Sequence, residues 1–301
     1  MTRAADLRLF ARASKKGRNG NDMLHLIRFE LIKTFTRWRT YIGFIAFGLI
    51  VPLIVAGLKM GGQLSFEKHL LSLLQKDFII GGNVLNGWFF GFFFMSALWV
   101  HIPIVLTIVA GDQIAGEGNA GTFRFLLTHA VSRTRIITAK FIVTLIYTAV
   151  MVLFICGLTL GLSLAAFGSG DLLIIRRGIL VLPEAQLPYH FLMAYGLATL
   201  AMFVVSALCF FFSALTDNSI GPIIATMAVI IVSILIITLP FEMFQAIRPY
   251  LFVNYFDAWQ KVFDDPIPWA TIRSHVLILT GFMAAFFLAT VGYFARKDIL
   301  S

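Results

Sequence analysis

Six apolar blocks, each long enough to cross a lipid bilayer, constrain this 301-residue chain more than any other feature. A helix needs about 20 predominantly apolar residues to span the hydrocarbon of a bilayer. Hydrophobic residues make up 59% of the chain and charged residues only 13%, whereas soluble domains average about 25% charged residues. The pattern predicts an all-α fold, a polytopic membrane helix bundle with six transmembrane helices. We place these spans near 41–58, 87–111, 141–167, 190–215, 220–240 and 274–295.

The first 40 residues differ from the rest of the chain. Residues 1–22 are polar and basic, and we expect a disordered leader that lacks a signal-peptide pattern, with Met23 as an alternative start. Residues 23–40 have apolar side chains at three- and four-residue steps, which predicts an amphipathic helix in the plane of the membrane interface. Its charged residues include Arg28, Glu30, Lys33 and Arg37. The six-helix transmembrane domain then occupies 41–301.

Basic residues are distributed unequally between the two sides of the predicted bundle. Two thirds of the 24 lysines and arginines fall on the side that holds both termini, and acidic residues balance the remaining third on the other side. The positive-inside rule therefore predicts a multi-pass protein of the plasma (inner) membrane with both termini cytoplasmic. This placement of charge favours membrane lipid as a partner and argues against nucleic acid.

Two of the predicted outer loops carry patterns of their own. Residues 60–86 include an amphipathic helical pattern, and residues 241–273 are rich in aromatic residues. Aromatic residues at that density are typical of short helices at, or re-entering, the outer membrane interface. An ordinary extracellular loop is the alternative interpretation.

A few residues inside the spans stand out. His101 is the only histidine deep in a span, which makes it a candidate for a transport pathway, although a neutral histidine bonded to a neighbouring helix is the commoner arrangement. Pro103 removes a backbone donor and predicts a kink in the second span. Two glycine pairs have the G-x-x-x-G spacing that allows helices to approach closely, Gly87/Gly91 and Gly157/Gly161.

The segment between the second and third spans, 111–140, reads GDQIAGEGNAGTFRFLLTHAVSRTRIITAK. Its glycines predict interruptions of the chain, and the stretch from Thr122 to Thr128 predicts a short helix. A short helix held away from the membrane by turns would suit docking to a cytoplasmic partner.

This segment resembles the signature of type-2 ABC-transporter permeases. That family often has Glu, then Gly-Thr, Leu-Leu, Pro-Val-Ser-Arg and a Lys that enters the third helix. The matching residues are Glu117, Gly121, Thr122, Leu126, Leu127, Val131, Ser132, Arg133 and Lys140. The sequence departs from the family at Ala130, where proline is common, and at Arg124, where an acidic residue is frequent. The close of the chain at 294–299 and the overall topology also resemble the family, over about residues 23–299.

The resemblance implies a permease, most often an exporter, that couples to a separate ATPase subunit through the loop 111–140. The coupling residues that it implies are Glu117, Gly121, Thr122, Phe123, Leu126, Leu127, Ser132, Arg133 and Lys140. No G-x-x-x-x-G-K-[ST] segment occurs here, so we expect ATP and Mg²⁺ on the partner ATPase and no cofactor on this chain. A second permease subunit, either an identical copy or a paralogue, is also implied.

Enzyme chemistry finds no support in the sequence. The six histidines and two cysteines are scattered without metal-ligand spacing, and no hydrolase motif occurs, so we expect no catalytic or metal site. Two alternatives to the permease remain at this stage, a stand-alone secondary transporter and a membrane anchor for a cytoplasmic complex. The sequence leaves the transported substrate open.

Overall fold

The computed structural model describes residues 22–62, 85–119, 132–175 and 179–296. Its α-helices are α1 Asp22–Phe35, α2 Trp38–Gly57, α3 Gly87–Leu98, α4 His101–Asn119, α5 Arg133–Phe167, α6 Leu187–Leu215, α7 Ile220–Thr238, α8 Glu242–Gln245 and α9 Trp269–Arg296. A π-helical turn, Leu58–Gly62, follows α2, and short 3₁₀ helices span Glu184–Gln186 and Arg248–Tyr250. A longer 3₁₀ helix, Phe252–Phe263, is called the aromatic helix below. Strands β1 Leu172–Ile175 and β2 Ile179–Leu182 form an antiparallel hairpin in which Leu172 pairs with Leu182.

Five helices of the described residues are long and apolar enough to cross a membrane, which makes the protein an all-α membrane helix bundle. These five contain α2, α5, α6, α7 and α9. The helices α3 and α4 make a sixth span if the bent pair counts as one. Each predicted span therefore coincides with a helix or, for the second span, with a broken one.

The break in the second span lies between Leu98 and His101, where α3 and α4 meet at an angle of 54°. In a continuous helix, residue 103 would donate its backbone N–H to the carbonyl of Trp99. Pro103 has no N–H, and its ring collides with that carbonyl. The kink predicted from Pro103 is thus confirmed, and it falls one turn before the proline.

Gly111, Gly116 and Gly118 lie within α4 and do not interrupt it, so the breaks predicted at these three positions were wrong, whereas Gly121 lies outside the described residues. The helix α4 continues to Asn119, and α5 begins at Arg133, so both ends of the segment 111–140 are helical. A glycine costs a helix only about 1 kcal/mol relative to alanine. Tertiary packing outweighs this cost: a Cβ atom at Gly111 would lie 3.2 Å from Cγ1 of Ile223, and one at Gly118 would lie 2.9 Å from Oδ1 of Asp217. The glycines therefore bring α4 close to its neighbours.

The helix α6 occupies the centre of the bundle. Of its most apolar stretch, 67% is buried inside the protein, compared with 22% for α7 and 11% for α9. It is joined to α5 by two hydroxyl contacts, Tyr195 with Thr159 at 2.9 Å and Ser206 with Thr148 at 2.8 Å. Because apolar surface alone does not hold helices together in lipid, such contacts and close packing fix which faces meet.

The aromatic segment 241–273 contains short helices, as predicted, but its aromatic residues do not all face the membrane. Phe241 and Tyr250 are exposed. The aromatic helix instead buries its apolar face against α6 and α9, and Trp259 is fully buried beside Phe92 and Trp99. Five of the nine aromatic residues in this segment therefore belong to the buried core: Phe252, Tyr255, Phe256, Trp259 and Phe263.

The β-hairpin was not predicted from the sequence. Asn86 ties its base to the bundle, because its Oδ1 accepts hydrogen bonds from the N–H groups of Trp88 and Phe89 while its Nδ2 donates to the carbonyl of Asp171 at 2.6 Å. Asn86 thus acts both as the N-cap of α3 and as a link to the hairpin.

We expect Gly87→Ala to destabilise the protein and Gly157→Ala to leave its stability equal or slightly higher, because alanine favours a helix by about 1 kcal/mol over glycine. A Cβ atom at Gly87 would lie 2.5 Å from Cα of Leu164 and 2.7 Å from the carbonyl oxygen of Gly168, and backbone atoms cannot rotate away. No atom lies within 4 Å of the corresponding position at Gly157. Overpacking of this kind costs about 1–3 kcal/mol, which thermal unfolding of the purified protein in detergent will measure. Equal unfolding midpoints for the two variants would contradict the close approach of α3 and α5.

Candidate functional site

Five elements meet at one end of the bundle, which we call the charged end. A buried apolar cluster joins Ile114 of α4, Ile137 and Phe141 of α5, Ala214 of α6 and Phe294 of α9. The helix α1 lies across this end and packs against α5. The ends of α4 and α9, the start of α5 and the turn from α6 to α7 are therefore neighbours.

The helix α1 faces the bundle with polar residues. Glu30 is 1% exposed and Thr34 is 4% exposed, whereas Leu24 and Ile32 are 68% and 47% exposed. The prediction of a single interface helix over 23–40 was wrong in its end, because α1 ends at Phe35 and the next helix, α2, begins at Trp38. Charged and hydroxyl groups thus dock α1 on the bundle, and its exposed face includes apolar residues.

Four charged residues at this end form a largely buried group, which we call the Lys140 cluster: Glu30, Lys33, Glu117 and Lys140. The side chain of Lys140 is 1% exposed, and its Nζ donates to Oε2 of Glu30 at 2.8 Å and to Oε1 of Glu117 at 2.5 Å. Lys33 also donates to Oε1 of Glu117. With two acids and two bases the cluster is formally neutral, which matters because an unpaired ion costs several kcal/mol to bury.

A second group, the Asp112 clasp, lies nearby on α4. The carboxylate of Asp112 accepts hydrogen bonds from Arg37 at 2.6 Å, from Arg39 at 3.0 Å and from the hydroxyl of Ser219 at 2.7 Å. Arg39 is 60% exposed, so its pair with Asp112 adds little stability. The clasp joins α4 to the α1–α2 junction and to the start of α7.

Ser213 attaches the end of α6 to the backbone of α4. Its hydroxyl donates to the carbonyl of Gly111 at 2.6 Å and accepts from the N–H groups of Ile114 at 3.1 Å and Ala115 at 2.9 Å. One buried side chain therefore bonds three backbone groups within a single stretch of α4. The structure thus fixes α4 at the charged end through Ser213, Asp112 and Glu117.

The predicted site residues divide into three groups. The structure brings Glu117 and Lys140 together with Glu30 and Lys33, while Arg37 joins the Asp112 clasp. Ser132 and Arg133 lie at the start of α5, and Arg28 lies on the exposed face of α1. The remaining predicted coupling residues lie outside the described residues: Gly121, Thr122, Phe123, Leu126 and Leu127.

His101, the pathway candidate, lies on the exposed surface of the bundle. Its Nδ1 is 3.1 Å from the carbonyl of Ala97 on α3, across the break between the helices. Ala97 belongs to the same predicted span as His101, so this contact does not join His101 to another span.

The roles of Asp112, Ser213 and Ser219 were not predicted from the sequence. None of the three is among the residues that match the family motif. Their partners are distant in the chain, since Asp112 and Ser219 are separated by 107 residues. No local pattern could have linked them.

Within the described ranges, no group of three or more His, Cys, Asp or Glu residues is arranged to hold a metal ion. A cavity of about 10 Å³ lies beside the break, lined mainly by apolar side chains that include Met95, Trp99, Ile102, Tyr195 and Met202. It has room for one water molecule at most.

The fold and the charged end together define a polytopic helical membrane protein with a buried ionic cluster at one end of the helix bundle. Within that class, the chain belongs to a family of proteins of unknown function (DUF2705), whose model matches residues 41–300. It is also similar to the uncharacterized protein YhcI of Bacillus subtilis (strain 168), with 26% identity over 200 residues, or 64% of this chain. The match spans 63% of that relative's length, which is less than two thirds. The family match begins after α1, so Glu30 and Lys33 lie outside it.

We expect Lys140→Met to destabilise the protein strongly, because it leaves Glu30 and Glu117 buried without their shared cation. Breaking a buried ion pair in this way costs about 3–5 kcal/mol. Lys33→Met is the matched control: Lys33 is 24% exposed, and Glu117 keeps Lys140, so the loss is smaller. Denaturant unfolding in mixed micelles measures both variants. Wild-type stability of Lys140→Met would show that the cluster does not hold the charged end together.

Ser213→Ala tests the attachment of α6 to α4. The variant removes the hydrogen bonds of Ser213 to the N–H groups of Ile114 and Ala115 and to the carbonyl of Gly111. Because these backbone groups lie within the helix α4, a lost bond costs about 0.5–1.5 kcal/mol. Ser96→Ala is the control, because Ser96 is exposed and bonds only the carbonyl of Phe92 in its own helix. The midpoint of thermal unfolding should fall for Ser213→Ala alone. A fall of equal size in both variants would contradict the assignment.

Proposed function

We propose that this chain is the permease subunit of an ABC transporter of the type-2 family, a non-catalytic membrane subunit that works with a separate ATPase. In this proposal it lies in the plasma (inner) membrane with both termini in the cytoplasm, pairs with a second permease subunit and acts as an exporter. The support comes from the residue pattern of 117–140, from the long apolar helices, and from the geometry of the charged end.

One observation carries the proposal most directly. Glu117 and Lys140 belong to the two ends of the motif segment, and their side chains meet in the Lys140 cluster at 2.5 Å. Glu30 and Lys33 of α1 complete the same cluster. The helices α4 and α5, which precede and follow the Gly-Thr and Leu-Leu pairs of the motif in the chain, are therefore joined by one buried ionic group that also includes α1. In this proposal, force from the partner ATPase passes through that group into α1, α4 and α5.

The distribution of charge supports an external energy source. Carriers driven by protons or sodium ions usually need acidic or ion-binding groups inside the membrane. In the described parts of this chain, the buried ion pairs of the Lys140 cluster lie at the charged end, outside the predicted spans. Together with the lack of a phosphate-binding loop in the sequence, this arrangement suits a permease whose partner holds ATP and Mg²⁺.

The test is purification of the tagged chain in mild detergent, with mass spectrometry and an ATP-hydrolysis assay on the eluate. We expect an ATPase to co-purify, and we expect the double variant Arg133→Ala/Arg135→Ala to lose it, because both arginines lie at the start of α5 beside the motif segment. Arg273→Ala is the matched control, since Arg273 is an exposed arginine in the first turns of α9, at the other end of that helix from Phe294.

Glu117→Ala is a poor probe of docking because it removes a buried charge between two lysines and destabilises the chain itself. Absence of any nucleotide-binding partner, repeated in lipid nanodiscs, would refute the proposal. Transport by the purified chain alone would favour a stand-alone carrier.

A further inference from the structure

The Asp112 clasp is separate from the Lys140 cluster, because it bonds α4 to a different part of the bundle. Asp112 and Glu117 are five residues apart on α4 and face different partners. Glu117 meets α1 and α5, whereas Asp112 meets the α1–α2 junction and Ser219. The end of α4 is thus bonded on both sides.

The end of α6 and the turn between α6 and α7 contact this end of α4 at three points. Ser219 donates to Asp112 at 2.7 Å, and Ser213 bonds the backbone of α4 from Gly111 to Ala115. The third point is Gly118, where a Cβ atom would lie 2.9 Å from Oδ1 of Asp217. A displacement of α4 along its axis would therefore displace the turn as well.

Among these contacting residues, Ser219 is the one at the boundary of another helix. It immediately precedes α7, it is buried, and its hydroxyl bond to Asp112 is the link given by the described residues between that carboxylate and α7. The remaining bonds of Asp112 go to Arg37 and Arg39 on the other side of α4. The Asp112–Ser219 bond can therefore be removed while the ionic contacts stay in place.

We propose that Asp112 is a positioning residue which, through Ser219, carries movement of α1 and α4 to α7. This inference rests on the proposed function, because the movement in question is the one that a partner ATPase would drive. It adds a second route to that function: the Lys140 cluster moves α5, and the Asp112 clasp moves the α6–α7 turn.

The test measures distances between spin labels in the chain bound to its ATPase, with Cys156 and Cys209 replaced by alanine. Labels at His25→Cys on α1 and at Asn218→Cys in the turn are each paired with one at Glu184→Cys, an exposed position before α6. Both distances should change between the nucleotide-free state and the state trapped with ATP and vanadate. In Ser219→Ala, the distance from 184 to 25 should change as in the wild type, and the change from 184 to 218 should be smaller than in the wild type, because the bonds of Ser213 and the contact of Gly118 with Asp217 remain.

Three controls separate positioning from folding. Ser219→Thr keeps a hydroxyl and should restore the change at 218. Ser274→Ala removes an exposed hydroxyl that bonds only its own helix and should behave as wild type. Asp112→Asn weakens the whole clasp and should reduce the change in the distance from 184 to 218. Continued binding of the ATPase to this variant would show that the chain is folded.

The outcomes distinguish the two proposals. If Ser219→Ala shows the wild-type change at 218, the positioning role is refuted while the permease assignment stands. If the wild-type chain shows no nucleotide-dependent change at either position, or binds no ATPase, the proposed function fails and this inference fails with it.

Discussion

The buried ammonium group of Lys140 constrains the charged end more than any other single group. It is 1% exposed, so it can remain ionised only if acidic groups are brought to it, and the structure brings Glu30 from α1 and Glu117 from α4. An isolated helix of 14 residues is marginal in water, so α1 depends on this docking for its position and its stability. Three helices that are distant in sequence must therefore occupy one arrangement, since any other would leave a charge unpaired.

The rest of the bundle needs a different source of specificity, because lipid does not favour one apolar face over another. The central helix α6 provides it with a row of small polar groups: Tyr195, Ser206, Cys209 and Ser213 each bond a partner on α4 or α5. Each bond is worth only about 1 kcal/mol in a membrane, but together they fix the rotation of α6 about its axis. Ser213 is where this row reaches the charged end.

The sequence predicted those features that depend on local chemistry. The apolar blocks located the helices, and Pro103 located the bend, because span length and a missing donor act locally. Features that depend on contacts between residues distant in the chain were not predicted. The glycines at 111, 116 and 118 were expected to break the chain because the close approach of Asp217 and Ile223 could not be foreseen. The ion pair of Lys140 with Glu30 spans 110 residues, so the motif predicted the importance of Lys140 but not its partner on α1.

The position of the break in the second span gives these contacts a mechanical consequence. At the charged end, α4 is bonded to its neighbours through its own Asp112 and Glu117 and through Ser213 of α6. That end of α4 therefore moves only with its neighbours. At its other end, the missing N–H of Pro103 leaves the carbonyl of Trp99 without its helical donor and makes the junction with α3 easier to bend than a continuous helix. A displacement that enters through the Lys140 cluster would therefore be absorbed as a change of the 54° angle, beside the small cavity that Met95, Trp99 and Tyr195 help to line. The helix α4 thus connects the charged end, where several side-chain bonds hold it, to the bend, where Pro103 cannot donate a backbone hydrogen bond.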